Sequence, residues 1–390
     1  MKKLQWLLAA LLFLLAIGCE RVDPEPDPEP EPMPEPTVTY SVKDLKDMTL
    51  AEKVGQLFNI RVEALDPTVA SYCTQGSTTI KNEFGAHPCG GFTLFAGNIK
   101  NPAQIQAFTK FLHGLGNYPL ICVDEEGGRV ARIANNSYFN VPKYASMGAV
   151  GATGDPRQAY EAGETIGRYL MVYGFDVDLA PVSDVNTNPD NVVIGDRAFG
   201  SSPDLVAEMA SQFLTGLQGE KVFGCLKHFP GHGDTQADTH YGYAESLKTW
   251  DQLLACEMIP FRKGIETGAQ MVMTAHICLP NVTGDKTPST LSRFILTEKL
   301  RGELGYRGII ITDSMGMGAI TQQYSVDEAA IAAIEAGVDI VLDPADYERA
   351  FEAVLAAVKS GRIGEDRINE SVARVLDLKK SILRKRGLLQ

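Results

Sequence analysis

Eight short apolar, β-rich runs, each followed by a stretch of helical periodicity, constrain this chain more than anything else in it. The runs fall at residues 54–62, 91–95, 120–123, 177–181, 224–228, 271–276, 308–312 and 339–342. Their near-continuous hydrophobicity suits parallel strands covered by helices. Helical spacing fills 102–115, 155–173, 202–217, 250–267, 292–304, 326–336 and 347–359. Asp155 is placed to cap the second of these segments, with Pro156 at its first position. Gly361 and Gly364 break the pattern before a last helix near 365–384. The alternation predicts an α/β fold, a (β/α)₈ TIM-type barrel in a single domain. The 390 residues suffice, since such a barrel needs about 250. An open doubly wound sheet is the rival, but no GxGxxG follows the first run to support a dinucleotide site.

The N-terminus stands apart from this pattern. Lys2 and Lys3 precede an apolar run over 4–15, and Ala16-Ile17-Gly18 leads to Cys19. This is the build of a secretory signal, and the apolar run is short for a spanning helix, which needs about 20 residues. It resembles a bacterial lipobox in which Cys19 is acylated, with Ala16 where Leu is usual. Residues 20–36, ERVDPEPDPEPEPMPEP, form a Pro/acid tract that cannot bury apolar surface and should be an extended spacer. The expected division is a signal at 1–18, a linker at 19–36 and the barrel at 37–390. The expected location is extracytoplasmic, lipid-anchored to a bacterial membrane.

Net charge is −13, of which the linker carries −6 and the signal +2, leaving −9 for the rest. Such a chain is not built to neutralise phosphates, so nucleic acid is not an expected partner. The cluster Lys379, Lys380, Arg384, Lys385 and Arg386 suits the C-terminal end of a helix. Cys122, Cys225, Cys256 and Cys278 read as buried thiols. Cys73 and Cys89 share a polar stretch, and secretion permits a bridge that the sequence alone leaves open. No CxxC supports a structural zinc site.

The chemistry should gather where the strands end. Active sites of barrels form at the C-terminal face, and the runs end in Asp124, Asp184, Lys227-His228, His276, Asp313 and Asp343. So many ionisable groups aimed at one face are hard to explain by stability, since unpaired buried charge is costly. His228, His232, Asp238 and His240 invite a metal reading. Pro230 and Gly231 exclude a helical HxxxH, and no metal and no cofactor is expected.

Two segments carry a resemblance. KHFPGHGDTQADTH (227–240) and ITDSMGMGA (311–319) resemble the N-acetyl-β-glucosaminidase branch of glycoside hydrolase family 3, and the likeness runs over about 41–380. The resemblance implies that Asp313 is the catalytic nucleophile, His240 the acid/base and Asp238 the carboxylate orienting it. It implies that Asp124 and Arg132 in VDEEGGRVAR, Arg197 in IGDRAFG, and Lys227 with His228 bind the sugar. Here TDSMGMGA replaces the more usual DDLSMxGA, shortening the loop between Asp and Ser. The implied activity is a retaining, exo-acting β-N-acetylglucosaminidase.

The residues suit that chemistry. A retaining glycosidase needs a carboxylate at one face of the anomeric carbon and a proton donor for the leaving oxygen. Asp238 and His240 are two apart, so an extended loop puts both on one side, and the carboxylate fixes the imidazole tautomer. A histidine needs little tuning to donate near neutrality. Arg197 or Lys227 is expected beside Asp313 to keep it ionised. Pro230, Gly231 and Gly233 predict a long loop that swings over bound sugar. A neutral histidine does not repel phosphate, so phosphorolysis is open beside hydrolysis. Asp184, His276 and Asp343 are expected to support the contact residues, Asp196 to pair in a salt bridge, His232 to order its loop, and Met315 and Met317 to pack beneath the sugar. The alternatives are a family 3 β-glucosidase or β-xylosidase, and a non-catalytic glycan-binding lipoprotein. The expected partners are a carbohydrate with terminal GlcNAc and a membrane through the anchor only, for a monomer.

Overall fold

All eight expected strands form, six of them shorter than the apolar runs that announce them, one equal to its run and one, at Phe223–Phe229, longer. In chain order they are β1 Phe58–Ile60, β2 Gly91–Leu94, β3 Leu120–Val123, β4 Val177–Asp178, β5 Phe223–Phe229, β6 Met271–Thr274, β7 Ile309–Thr312 and β8 Val341–Leu342. The computed structural model describes residues 38–235 and 244–390. Each strand pairs in parallel with its sequence neighbours. β8 returns to β1, with Phe58 opposite Val341. Ile311 bridges Ile340, and the Thr312 amide donates to the Ile340 carbonyl at 3.0 Å, which closes the ring between β7 and β8.

The helices that follow the strands are α1 Thr78–Ala86, α2 Pro102–His113, α3 Pro156–Val172, α4 Pro203–Gly219, α5 Met258–Glu266, α6 Phe294–Glu303, α7 Val326–Ala336 and α8 Tyr347–Lys359, and α9 Glu365–Arg386 ends the chain. Asp155 caps α3 by accepting from the Arg157 amide, and α9 stops at Gly387, whose φ of 69° is left-handed. Three expectations need correction. Residues Leu50–Gln56 are helical, because Thr49 and Glu52 make a reciprocal capping box; this start signal overrides the apolar run. The segment 250–267 divides into Trp250–Leu254 and α5. α6 is a π-helix, a spacing that hydrophobic periodicity does not distinguish.

Strand alternation sorts side chains into two cores. Phe58, Ile60, Phe92, Leu94, Ile121, Val123, Val272, Ile310 and Val341 face the helices. Leu120, Cys122, Val177, Leu179, Phe223, Cys225, Met271, Met273, Ile309, Ile311, Ile340 and Leu342 fill the barrel, together with Val375, Leu378, Ile382 and Leu383 of α9. The terminal helix therefore stoppers the lower end of the barrel. On β1 and β2 the interior is polar and narrow. Thr93 donates to Asn59 at 2.6 Å, and a Cβ on Gly91 would lie 2.6 Å from the Leu120 carbonyl oxygen. All cysteines of the barrel are free thiols. The sequence left a bridge between Cys73 and Cys89 open; both are buried and unbridged. Burial pushes the Cys73 thiol up to about 12.

The basic end of α9 is used locally. Arg386 pairs with Asp176 at 2.8 Å and Lys380 with Asp44 at 2.7 Å. Lys379 is fully buried, donating to Gln56 at 2.6 Å and to the Asn117 carbonyl at 3.1 Å. No helix among the described residues is long and apolar enough to cross a membrane. Burial pushes the Lys379 ammonium down to about 7. An unfolded lysine titrates near about 10.4, so between those values the unfolded chain binds more protons and stability rises with pH. Lys379→Met is expected to flatten that rise, read as unfolding free energy in urea at pH about 7, 8.5 and 10.

Candidate active site

The alternation that fills the barrel also aims its mouth. On β3 the inward series Leu120, Cys122 continues to Asp124; on β5 Phe223, Cys225 leads to Lys227; on β7 Ile309, Ile311 leads to Asp313; on β1 Asn59 leads to Arg61. Thr93, Leu179, Met273 and Leu342 form the floor of a cavity of about 430 Å³. That volume is ordinary for a small-ligand site. Because the barrel below is packed solid, the cavity is a closed-ended cup.

One wall is a chain of alternating charges. Arg132 approaches Asp124 at 3.2 Å, Asp124 accepts from Lys227 at 2.9 Å, and Lys227 reaches Glu126 at 2.6 Å. Arg197 grips Glu126 with two parallel bonds of 2.8 and 2.7 Å and lies 3.4 Å from the His228 ring. His228 Nδ1 meets Asp184 at 2.7 Å. Asp184 also accepts from the His232 amide at 2.7 Å, so it anchors the turn that leaves β5. Burial pushes the carboxyl of Glu126 up, but Arg197 and Lys227 outweigh it and hold it well below the usual range. Asp124 is lowered in the same way by Lys227 and Arg132 against its burial. Lys227, although buried, is held above its ordinary value by Asp124 and Glu126.

Local folding explains why 124–134 stays rigid. Glu125 points away from the cup and accepts from the amides of Arg132, Ile133 and Ala134 at 2.5, 2.9 and 2.8 Å, and from the Tyr169 hydroxyl at 2.9 Å. The Glu125–Gly127 and Val130–Ala131 hairpin is pinned from its own interior. Neighbouring carboxylates thus divide the work: Glu125 folds the loop, while Asp124 and Glu126 face the cavity.

The other wall holds Asp313. Its amide donates to the Thr274 carbonyl at 3.0 Å, and its Oδ1 accepts from the Ser314 amide at 2.8 Å. Asp124, Arg132, Arg197, Lys227, His228 and Asp313 all line the same cup. Asp238, His240 and Cys19 lie outside the described residues. Two expectations change. Arg197 and Lys227 are held by Glu126 and Asp124 rather than by Asp313, because the carboxylates on β3 and its hairpin reach them first. Met315 turns into the core and only Met317 lines the cup. Asp196 pairs with Arg129 at 3.4 Å. His276 reaches the Ser314 carbonyl at 2.9 Å and Asp343 accepts from the Ser314 hydroxyl at 2.8 Å. Sequence reasoning missed Glu126 and Arg61. The alternation Asp124–Glu126 was a signal for the first. Arg61 lay hidden in an apolar run read as strand throughout.

A closed parallel barrel with a cup at the C-terminal ends of its strands, a carboxylate on one wall and fixed donors on the other, defines a protein of the barrel glycoside hydrolase type. The chain belongs to glycosyl hydrolase family 3: residues 49–378 match the model of the Glycosyl hydrolase family 3 N terminal domain. It is 34% identical over 338 residues to Beta-hexosaminidase A of Pseudoalteromonas piscicida, covering 79% of this chain and 56% of that protein. It is 36% identical to a Beta-hexosaminidase of Nitrosomonas eutropha, covering 68% and 77%. A family 3 β-N-acetylglucosaminidase from Paenibacillus sp. str. FPU-7 superposes with a TM-score of 0.79 at 38% identity, over 87% of this chain and 63% of that one. The Beta-N-acetylhexosaminidase of Beutenbergia cavernae does so at 0.76 and 29% identity, over 86% and 99%. The chain thus spans little more than half of the Pseudoalteromonas protein and nearly all of the Beutenbergia one.

Removing one partner of a buried ion pair costs about 3–5 kcal/mol, so Glu126→Ala is expected to lose about that much stability. The depressed carboxyl contributes fully above the unfolded value of about 4.3 and progressively less as pH falls below it. Glu126→Gln is therefore expected to flatten the acid side of the stability curve, followed by urea unfolding between pH about 7 and 3.

Proposed function

We propose that this chain is a retaining, exo-acting β-N-acetylglucosaminidase. The observation that carries the reading is the single cup in which Asp313 stands across from the Asp124–Lys227–Glu126–Arg197 wall. The donors left on Lys227, Arg132 and Arg197 suit the hydroxyls of one terminal sugar, and the packed floor suits exo action. The GlcNAc preference is supported by the names of the similar proteins. In the reaction the Asp313 carboxylate forms a bond to the anomeric carbon as the glycosidic bond breaks, and the leaving oxygen takes a proton from protonated His240. Asp238 holds that imidazole. Water then gives its proton to His240 and displaces the sugar from Asp313. The aglycone is a peptidoglycan fragment or a chitooligosaccharide, met outside the cytoplasm by a monomer anchored through lipidated Cys19.

Chromogenic β-GlcNAc, β-glucose and β-xylose substrates test the reading. β-GlcNAc is expected to be turned over, insensitive to chelators, and Asp313→Ala to lose about 10³-fold or more in kcat. Preference for glucose or xylose would make it a different family 3 glycosidase. Bound GlcNAc without turnover would make it a binding protein. In phosphate buffer, the ratio of GlcNAc to GlcNAc-1-phosphate decides between hydrolysis and phosphorolysis. Cys19→Ala is expected to release the protein from the membrane fraction of the expressing cell; a wild-type chain found wholly soluble would remove the anchor.

A further inference from the structure

We propose that Arg61, Asp343 and Ser314 form a relay that sets the Asp313 carboxylate for attack, an inference that rests on the nucleophile assigned above. The loop after β7 is short: serine follows the aspartate directly, where the more usual family pattern has one residue between. The structure gives that shortening a purpose. Ser314 is held at three points. Its amide donates to Asp313 Oδ1 at 2.8 Å, its hydroxyl donates to Asp343 Oδ2 at 2.8 Å, and its carbonyl lies 2.9 Å from His276 Nε2. His276 is fixed in turn by Thr290 at 2.8 Å. The direction of the amide aimed at Asp313 is therefore set by what grips the serine's other two polar groups.

Asp343 is committed on both oxygens. Oδ1 accepts from Arg61 Nε at 2.8 Å while Oδ2 accepts from Ser314. It also sits at φ 46°, a left-handed conformation in which aspartate is one of the few non-glycine residues found. Its amide donates to the Asn59 carbonyl at 2.8 Å and its carbonyl accepts from the Gly316 amide at 3.0 Å, so β1, β8 and the nucleophile loop are tied at one residue. Backbone strain of this kind collects at functional sites where the surroundings over-determine it. Arg61 lies 4.2 Å over the Phe95 ring. The stacked face keeps the guanidinium in place although 43% of its side chain is exposed. The order of support runs from Phe95 through Arg61, Asp343 and Ser314 to Asp313. Arg61, Ser314 and Asp343 also line the cup, so the test must separate positioning of Asp313 from direct contact with the sugar.

The test uses the whole chain with a chromogenic β-GlcNAc substrate. Ser314→Ala and Asp343→Asn are each expected to lower kcat by about 10–100-fold with KM within about threefold, the pattern of lost transition-state positioning. The double variant is expected to be no slower than the worse single one, because the two groups act as one unit. Arg61→Ala is expected to lose kcat as well, with Arg61→Lys recovering part of it, and Ser314→Thr is expected to stay near wild type because it keeps the hydroxyl. Inhibition by free GlcNAc is expected to be unchanged throughout, which a collapsed fold would not preserve. Losses that multiply in the double variant, a rise in KM at constant kcat, or unaffected variants of an active wild type would overturn the relay alone. A wild-type chain inactive on all three substrates would overturn the functional reading and the relay with it.

Discussion

The Lys227 ammonium sits in the lining of the barrel mouth, with 2% of its side chain exposed, 2.9 Å from Asp124 and 2.6 Å from Glu126. A charge so placed is tolerable only while both carboxylates stay with it. Each carboxylate in turn holds an arginine, Arg132 on one side and Arg197 on the other. The wall facing the cup is thus a single electrostatic unit in which no member can be moved alone. On this wall Asp124, Glu126 and, behind His228, Asp184 stand against Lys227, Arg132 and Arg197.

Two features of the strands make that unit possible. The interior alternation is unbroken from the packed layers to the cup on β3, β5 and β7, so Asp124, Lys227 and Asp313 inherit their aim from Leu120, Phe223 and Ile309. The strands are also short at β4 and β8, where only two residues pair. Beyond those pairs the chain is free to turn, and it does so with Asp184 and Asp343, each of which holds a neighbour of the cup by side-chain bonds. Rigid strand ends supply the contact groups, and the turns beyond them supply the buttresses.

How much of this was legible follows from the kind of signal involved. Strand-end residues Asp124, Lys227, His228 and Asp313 could be read because an ionisable group closing an apolar run is conspicuous. The helices at Val326–Ala336 and Tyr347–Lys359 match their helical spacing to the residue, and the structure shows Ser325 and Asp346 capping their starts. Leu50–Gln56 was misread because its apolar residues run on into β1 and only the Thr49–Glu52 pair separates the two. Glu126 and Glu125 are adjacent and identical in type. Their spacing from Asp124 separates them: Glu126, two residues on, shares its face and enters the cup, while Glu125 turns into its own loop. Met315 and Met317 were both expected beneath the sugar and only Met317 reaches the cup, since the turn after Asp313 has no period to extrapolate.

The two ends of the barrel use the same chemistry to opposite effect. At the lower end Asp176 is saturated by His113, Tyr118, Arg386 and the Ile121 amide, all at 2.8 Å. Asp339 is saturated by Ser371, Arg374, Arg301 and the Ile310 amide. Those carboxylates join α9 and the helix–strand junctions to the sheet, and beside them Arg386 borders a shallow hollow shared with His113 and Tyr118. At the upper end the pairs are as close, but Arg132, Arg197 and Lys227 all border a cup of about 430 Å³. A guanidinium has five N–H groups and an ammonium three, so a cation paired on one side and open on the other keeps donors for a ligand. The upper pairs therefore differ from the lower ones in converging on one closed-ended cup at the strand ends, not in the residues that make them.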